Sequence, residues 1–315
     1  MKKFILRCCT LGVLTTACMA ALFWISAYGS PGAKQFTEKL FDCEACFEAS
    51  DGPKEIRPYI EKVQTQDGTT GIILGDSVCC GLYNELQEIN PSLTIVGSNQ
   101  AVSMVGQYLL LKAYLEHHPD ATDAWIIARP DSLYADPSYS LGYSYLAIPF
   151  TKAGLTDCLS EDTVDDLKAM FGQPMLSPKI CDFMEESVIG RLSYLTFINS
   201  KYYKKRDSMD HSGMRYLVRI AELCDENGIS LHVLPAPLPD TEYSHEEVMK
   251  LQEKFRESGM MPYIDQYVAH VVYYDEELFR DGIHIRWKYE PEMCEQMVTL
   301  MYPGDSLHEV LKIHS

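Results

Sequence analysis

The chain has 315 residues, 46% of them hydrophobic and 23% charged, a globular composition that excludes bulk disorder and collagen-like structure. Its formal net charge of −18 excludes a broad nucleic-acid surface, which needs a basic footprint, and argues against a polyanion held by charge alone. One locally basic run, Lys201 with Lys204, Lys205 and Arg206, reads as a solvated loop.

At the N-terminus, Lys2, Lys3 and Arg7 precede an uncharged, largely apolar stretch from Cys8 to Tyr28. At about 1.5 Å per residue, that stretch is long enough to cross a ~30 Å hydrocarbon core. The positive flank predicts a cytoplasmic N-terminus and an exported body. Residues 1–30 are therefore expected to be a single-pass anchor in the cell membrane, with the rest extracytoplasmic. A signal peptide cut after Gly29, releasing a secreted body, is the alternative, and lipidation at Cys18 a weaker third. Of eleven cysteines, Cys8, Cys9 and Cys18 lie in this segment, leaving eight in the body. These are Cys43, Cys46, Cys79, Cys80, Cys158, Cys181, Cys224 and Cys294, an even number that permits disulfides without fixing their pairing. Cys43 and Cys46 form a lone C-x-x-C, which favours a local disulfide or buried thiols over a metal site.

Residues 31–68, with Pro31, Gly32 and Ser50-Asp51-Gly52-Pro53, read as a stalk leading into a domain over 69–315. There strands and helices alternate. Gly71 to Leu74 predicts a buried strand, Val78 to Ile89 a helix stopped by Asn90-Pro91, and Leu93 to Val96 a second strand. A helix over Gly106 to His117 and a strand over Ala124 to Ala128 follow. Residues 132–211 break the rhythm and read as an insertion that forms a lid or substrate wall, with weak helical stretches near 162–171 and 179–195. The rhythm returns with a helix from Ser212 to Glu226 closed by Asn227-Gly228, and a strand from Leu231 to Leu234. Ser244 with Glu247 suggests a capping box for a helix running to Glu257. Val271 to Tyr274 is the expected last strand, and Tyr289 to Met301 the closing helix. The pattern predicts an α/β fold with three α/β/α layers around a central, mainly parallel sheet. Its active site belongs beyond the C-terminal ends of the strands.

Gly75-Asp76-Ser77 falls where a strand turns into a helix, so Ser77 is the candidate nucleophile and its N–H an oxyanion donor. Asp76 in that turn reads as a structural group. Asp281-Gly282-Ile283-His284 supplies the base, His284, and an orienting carboxylate, Asp281. A surface histidine is the bland alternative, disfavoured by the spacing and the preceding strand. A second Gly-Asp-Ser at 304–306 has no sheet behind it and is set aside. Cys79 and Cys80, rivals for the nucleophile, are expected to turn into the core. Tyr134, Tyr139, Tyr143 and Tyr145 suit sugar stacking and packing equally. His117-His118 closes a helix and suits its dipole.

With these motifs, residues 69–300 resemble the SGNH or GDSL-like hydrolases. Gly71-Ile72-Ile73-Leu74-Gly75-Asp76-Ser77 is similar to the family's first block and Asp281-Gly282-Ile283-His284 to its last. Asn99-Gln100-Ala101-Val102-Ser103-Met104 stands at the second block, with Met104 in place of a glycine. Ala128-Arg129-Pro130-Asp131 stands at the third, without the family's asparagine. The resemblance implies a flavodoxin-like fold and a Ser77–His284–Asp281 triad. It places Ser77, Met104, Asn99, Arg129 and Asp131 around the oxyanion and substrate, and implies no metal and no organic cofactor. The anchor, the insertion and the missing asparagine look like the anchored subgroup that works beside membrane-bound O-acyltransferases. That likeness implies O-acyl, above all acetyl, transfer to or removal from a cell-surface glycan, with an acylated glycan or acyl donor as partner. A catalytically weak, anchored binding or assembly protein is the alternative.

Overall fold

The structure, a computed structural model, describes residues 10–18, 21, 56–79, 92–97, 103–135, 146, 148–161, 163–165, 179 and 212–302. Four strands make the central sheet: β1 (Gly71–Gly75), β2 (Leu93–Gly97), β3 (Asp123–Ala128) and β4 (Ser230–Pro235). Every residue of β1 and β2 is buried, as the unbroken apolar runs Ile72-Ile73-Leu74 and Ile95-Val96 require of strands covered on both faces. The order is β2-β1-β3-β4 and all three pairings are parallel. The chain steps from β1 to one side, then crosses back to β3 on the other, and folds of this kind place their sites at such a reversal, beyond the ends of β1 and β3.

Side-chain alternation along β1 sends Ile72 and Leu74 to one face and Ile73 to the other. On the first face pack helices α1 (Met104–His117), α2 (Ser212–Asn227), α3 (Glu242–Phe255) and α4 (Met261–Ala269), through Leu109, Tyr114, Leu217, Ile220, Leu251 and Ile264 among others. On the second, α5 (Glu290–Met301) lays Met293, Met297 and Val298 against Trp125, Ile127 and Leu234. The fold is thus α/β, with helices on both sides of a parallel sheet.

Several elements depart from the expectations. A helix over 56–63 buries Ile56, Ile60 and Val63 in the core, a helical spacing that the stalk reading of 31–68 passed over. The folded body therefore begins before residue 69. The described part of the expected insertion also joins the core, through Leu133, Leu146 and Phe150. Helix α1 starts two residues before Gly106, because the Ser103 hydroxyl accepts the Gly106 N–H and caps it. Helix α3 is capped by Thr241, which accepts the Ser244 N–H, so the cap lies one turn before the expected Ser244–Glu247 box. The last strand shrinks to β6 (Tyr273–Tyr274) and stays outside the main sheet. It pairs in parallel with β5 (Leu238–Pro239), three residues beyond the end of β4. Helix α4 was not expected at all.

Cys79, Cys158, Cys224 and Cys294 carry thiols rather than disulfides. Among the described residues no helix is long and apolar enough to cross a membrane. Outside the described residues lie most of the N-terminal segment and stalk, the expected helix beyond residue 79, Asn99, most of 136–211 with its tyrosines and basic run, Cys43, Cys46, Cys80 and Cys181, and the second Gly-Asp-Ser.

Candidate active site

The site begins at the end of β1. A Cβ at Gly75 would sit 2.3 Å from Cys79 Cβ and 2.8 Å from the Ile127 carbonyl oxygen, so only glycine fits where the strand turns sharply into the helical turn at 77–79. Asp76 fixes that turn. Its Oδ1 accepts the Val78 N–H at 3.0 Å and its Oδ2 the Ser132 hydroxyl at 3.2 Å. Cys79 points into the core, fully buried, as its place in the turn predicts. Ser77 is left half-buried at the rim.

His284 comes from the far end of the chain. Phe279 and Ile285 form an isolated antiparallel bridge, and the Arg280 N–H donates to the His284 carbonyl at 2.9 Å, closing a tight loop. Gly282, at φ 78°, takes the left-handed conformation that the loop needs at its apex. Asp281 Oδ1 accepts the N–H groups of Ile283 (3.1 Å) and His284 (2.8 Å). Its Oδ2 lies 2.8 Å from His284 Nδ1, and His284 Nε2 lies 2.8 Å from Ser77 Oγ. Partial burial works upward on the Asp281 carboxyl, but those N–H groups and the imidazole outweigh it and hold it down to about 2. An ionised Asp281 can only accept, so Nδ1 is the donor and Nε2 is left to accept the Ser77 hydroxyl proton. The arrangement can draw a proton from Ser77 and return it to a leaving group.

The other expected site residues fall into place differently. Met104 is fully buried as the first residue of α1, whose first-turn N–H groups have no partner within the helix. Arg129 lies just past β3, buried, with its Nε donating to Asp131 Oδ1 at 3.2 Å. Asp131 opens the 3-10 turn whose next residue, Ser132, reaches Asp76. Tyr134 turns its hydroxyl to the buried Glu247 on α3, and Lys250 meets the same carboxylate at 2.7 Å. Tyr267 on α4 is fully buried and donates to the Ala128 carbonyl at 2.9 Å. Ser132 and Tyr267 were not singled out from the sequence, and Glu247 was read only as half of a capping box. No motif marks these contacts, since each residue acts through a partner more than fifty residues away.

Fold and site together define an α/β protein with a serine–histidine–aspartate hydrogen-bond relay at the C-terminal end of a parallel sheet. No family model, no curated protein and no solved structure matches the chain.

Proposed function

We propose that the chain is an extracytoplasmic, serine-dependent O-acyl transferase or esterase, with acetyl the expected group and a cell-surface glycan the expected substrate. One observation carries the reading: the continuous relay Ser77–His284–Asp281, with 2.8 Å at each link. Ser77 attacks an ester carbonyl while His284 takes its proton at Nε2. Asp281 holds the ring and stabilises the imidazolium. The N–H groups of Ser77 and Met104 take the oxyanion. His284 returns the proton to the leaving alkoxide, and an acyl-enzyme remains. Water or a sugar hydroxyl then accepts the acyl group through the reverse steps. The chemistry needs no metal and no organic cofactor. The strand order β2-β1-β3-β4 and the two motifs at its mouth support the finer assignment to a flavodoxin-like SGNH fold. The glycan substrate, the membrane anchor at 1–30 and a membrane-bound O-acyltransferase partner rest on the resemblance and on the N-terminal sequence.

The test is hydrolysis of a small acetyl ester by the purified chain, beside Ser77→Ala and His284→Ala. Both substitutions should remove activity by on the order of a thousand-fold or more. Equal rates in all three proteins would sink the triad. The second reading, a catalytically weak anchored binding or assembly protein, is favoured by Arg129: it stands where the resemblance calls for an asparagine, and its Nε is engaged by Asp131.

A further inference from the structure

The turn that presents Ser77 is held by the side chain of Asp76, and that side chain is held in its turn by another element. Asp76 is only 5% exposed. Its Oδ1 accepts the Val78 N–H at 3.0 Å, the bond that closes the turn across Ser77. Its Oδ2 accepts the Ser132 hydroxyl at 3.2 Å, from 56 residues away along the chain. The terminal torsion of an aspartate is soft, so a single donor leaves the carboxyl group free to swing. Two donors, one on each oxygen, leave it one orientation. The Ser132 hydroxyl therefore helps decide whether Oδ1 stays on Val78.

Ser132 stands on firm ground. It is the middle residue of the 3-10 turn Asp131–Leu133, just beyond β3. The parallel register sets Gly75 against Ile127, so β3 ends alongside the nucleophile turn. Leu133 is fully buried in the core, and the Tyr134 hydroxyl reaches Glu247 on α3. The backbone that follows runs so close to α2 that a Cβ at Gly213 would sit 2.6 Å from the Ala135 carbonyl oxygen. A turn fixed by the core, α2 and α3 thus offers one hydroxyl to the residue before the nucleophile. We propose that Ser132 is a positioning residue for Ser77: by locking the Asp76 carboxyl group it holds the Asp76–Val78 turn, and so keeps the serine in line with its base. This role rests on the serine-nucleophile reading. Ser77 Oγ must meet His284 Nε2 at hydrogen-bond length, 2.8 Å here, and slack in the turn spoils that contact. The loss should fall on the chemical step, not on capture of the reagent.

The test is the rate at which a fluorophosphonate labels Ser77 in the purified full-length chain, followed against reagent concentration at one fixed pH. Ser132→Ala should lower the limiting rate by about ten-fold and leave the half-saturating concentration in place. Ser132→Thr, which keeps the hydroxyl, should recover most of the rate. Asp76→Asn should slow labelling as well, and adding Ser132→Ala to it should cost no more than about two-fold further, because the two residues act through one bond. A merely structural Ser132 would instead lower the fraction of chains that label and leave the limiting rate of those that do, which overturns the proposal. Losses that multiply in the double variant overturn it too. Should Asp76→Asn not fold, equal loss in Ser132→Ala and Ser132→Thr overturns it. A folded wild type that takes no label overturns the nucleophile and this role together, a result distinct from a labelled wild type matched by Ser132→Ala.

Discussion

At position 75 the backbone of β1 has room for a hydrogen and nothing larger. The added methyl of Gly75→Ala would meet Cys79 Cβ at 2.3 Å and the Ile127 carbonyl at 2.8 Å, neither of which is the flexible end of a side chain. Overpacking of this kind costs about 1–3 kcal/mol, and the relief has to come from the turn that carries Ser77. Gly75→Ala should therefore lower the melting temperature and the rate of ester hydrolysis together. Asp281 makes a different prediction. Its carboxyl is held down to about 2 by three donors from its own loop, so it stays ionised through any practical assay range. Asp281→Asn replaces an acceptor by a group that can also donate, and the imidazole loses its tautomer. The expected loss is on the order of 10²–10⁴-fold in kcat, persisting at every pH above about 4. A loss confined to one end of the profile would argue that Asp281 does not orient His284.

Among the elements, the N-terminal end of the sheet carries its own polar knot, in which the exposed Asp67 meets the buried Thr69 and His118. Asp67 Oδ1 accepts the Thr69 N–H (3.1 Å) and hydroxyl (2.8 Å) and faces His118 Nε2 at 2.9 Å. His118 in turn lies at the end of α1, with Nδ1 on the Tyr114 carbonyl and its ring stacked on Tyr114. Burial works upward on Asp67, but Thr69 and His118 outweigh it and lower its carboxyl. A lowered carboxyl adds stability above the usual carboxylate range and loses it as pH falls through the folded value. The urea midpoint of wild type should thus exceed that of Asp67→Asn at about pH 6, and the gap should close on titration toward about pH 3. A gap that widens in acid would contradict it. Most elements were legible in the sequence, for local reasons. Ile72-Ile73-Leu74 and Trp125-Ile126-Ile127 are continuous apolar runs, and Gly228 ends α2 at φ 69°. Helix α4 was not legible, because it buries only Ile264 and Tyr267 over nine residues and its N-cap, Met260, makes no side-chain cap hydrogen bond. The Ser244–Glu247 pair misled because Glu247 is spent on a tertiary contact to Tyr134, and a cap one turn earlier was already available in Thr241.

For the whole molecule, the relay was legible as two motifs expected to meet, from the order of the elements rather than from either motif alone. Nothing local in Gly75-Asp76-Ser77 says that it meets Asp281-Gly282-Ile283-His284; the alternation of strands and helices said that both belong at one end of a parallel sheet. The buried network behind Ser77 was illegible, because Ser132, Glu247 and Tyr267 gain meaning only once β3, α3 and α4 are packed. The separation of 207 residues between the partners of the Ser77–His284 bond has a consequence in time. A chain emerging N-terminus first completes all four strands of the sheet long before its histidine arrives. On the proposed chemistry the serine has no base until then, so a half-made or clipped chain is expected to be silent. A full-length chain carrying His284→Ala should keep β1 to β6 and yet take no fluorophosphonate label; labelling of that variant would show that the nucleophile is armed from elsewhere. On the proposed chemistry, the loop at 279–285 thus acts as a safety catch, arming Ser77 only once it has folded onto the sheet.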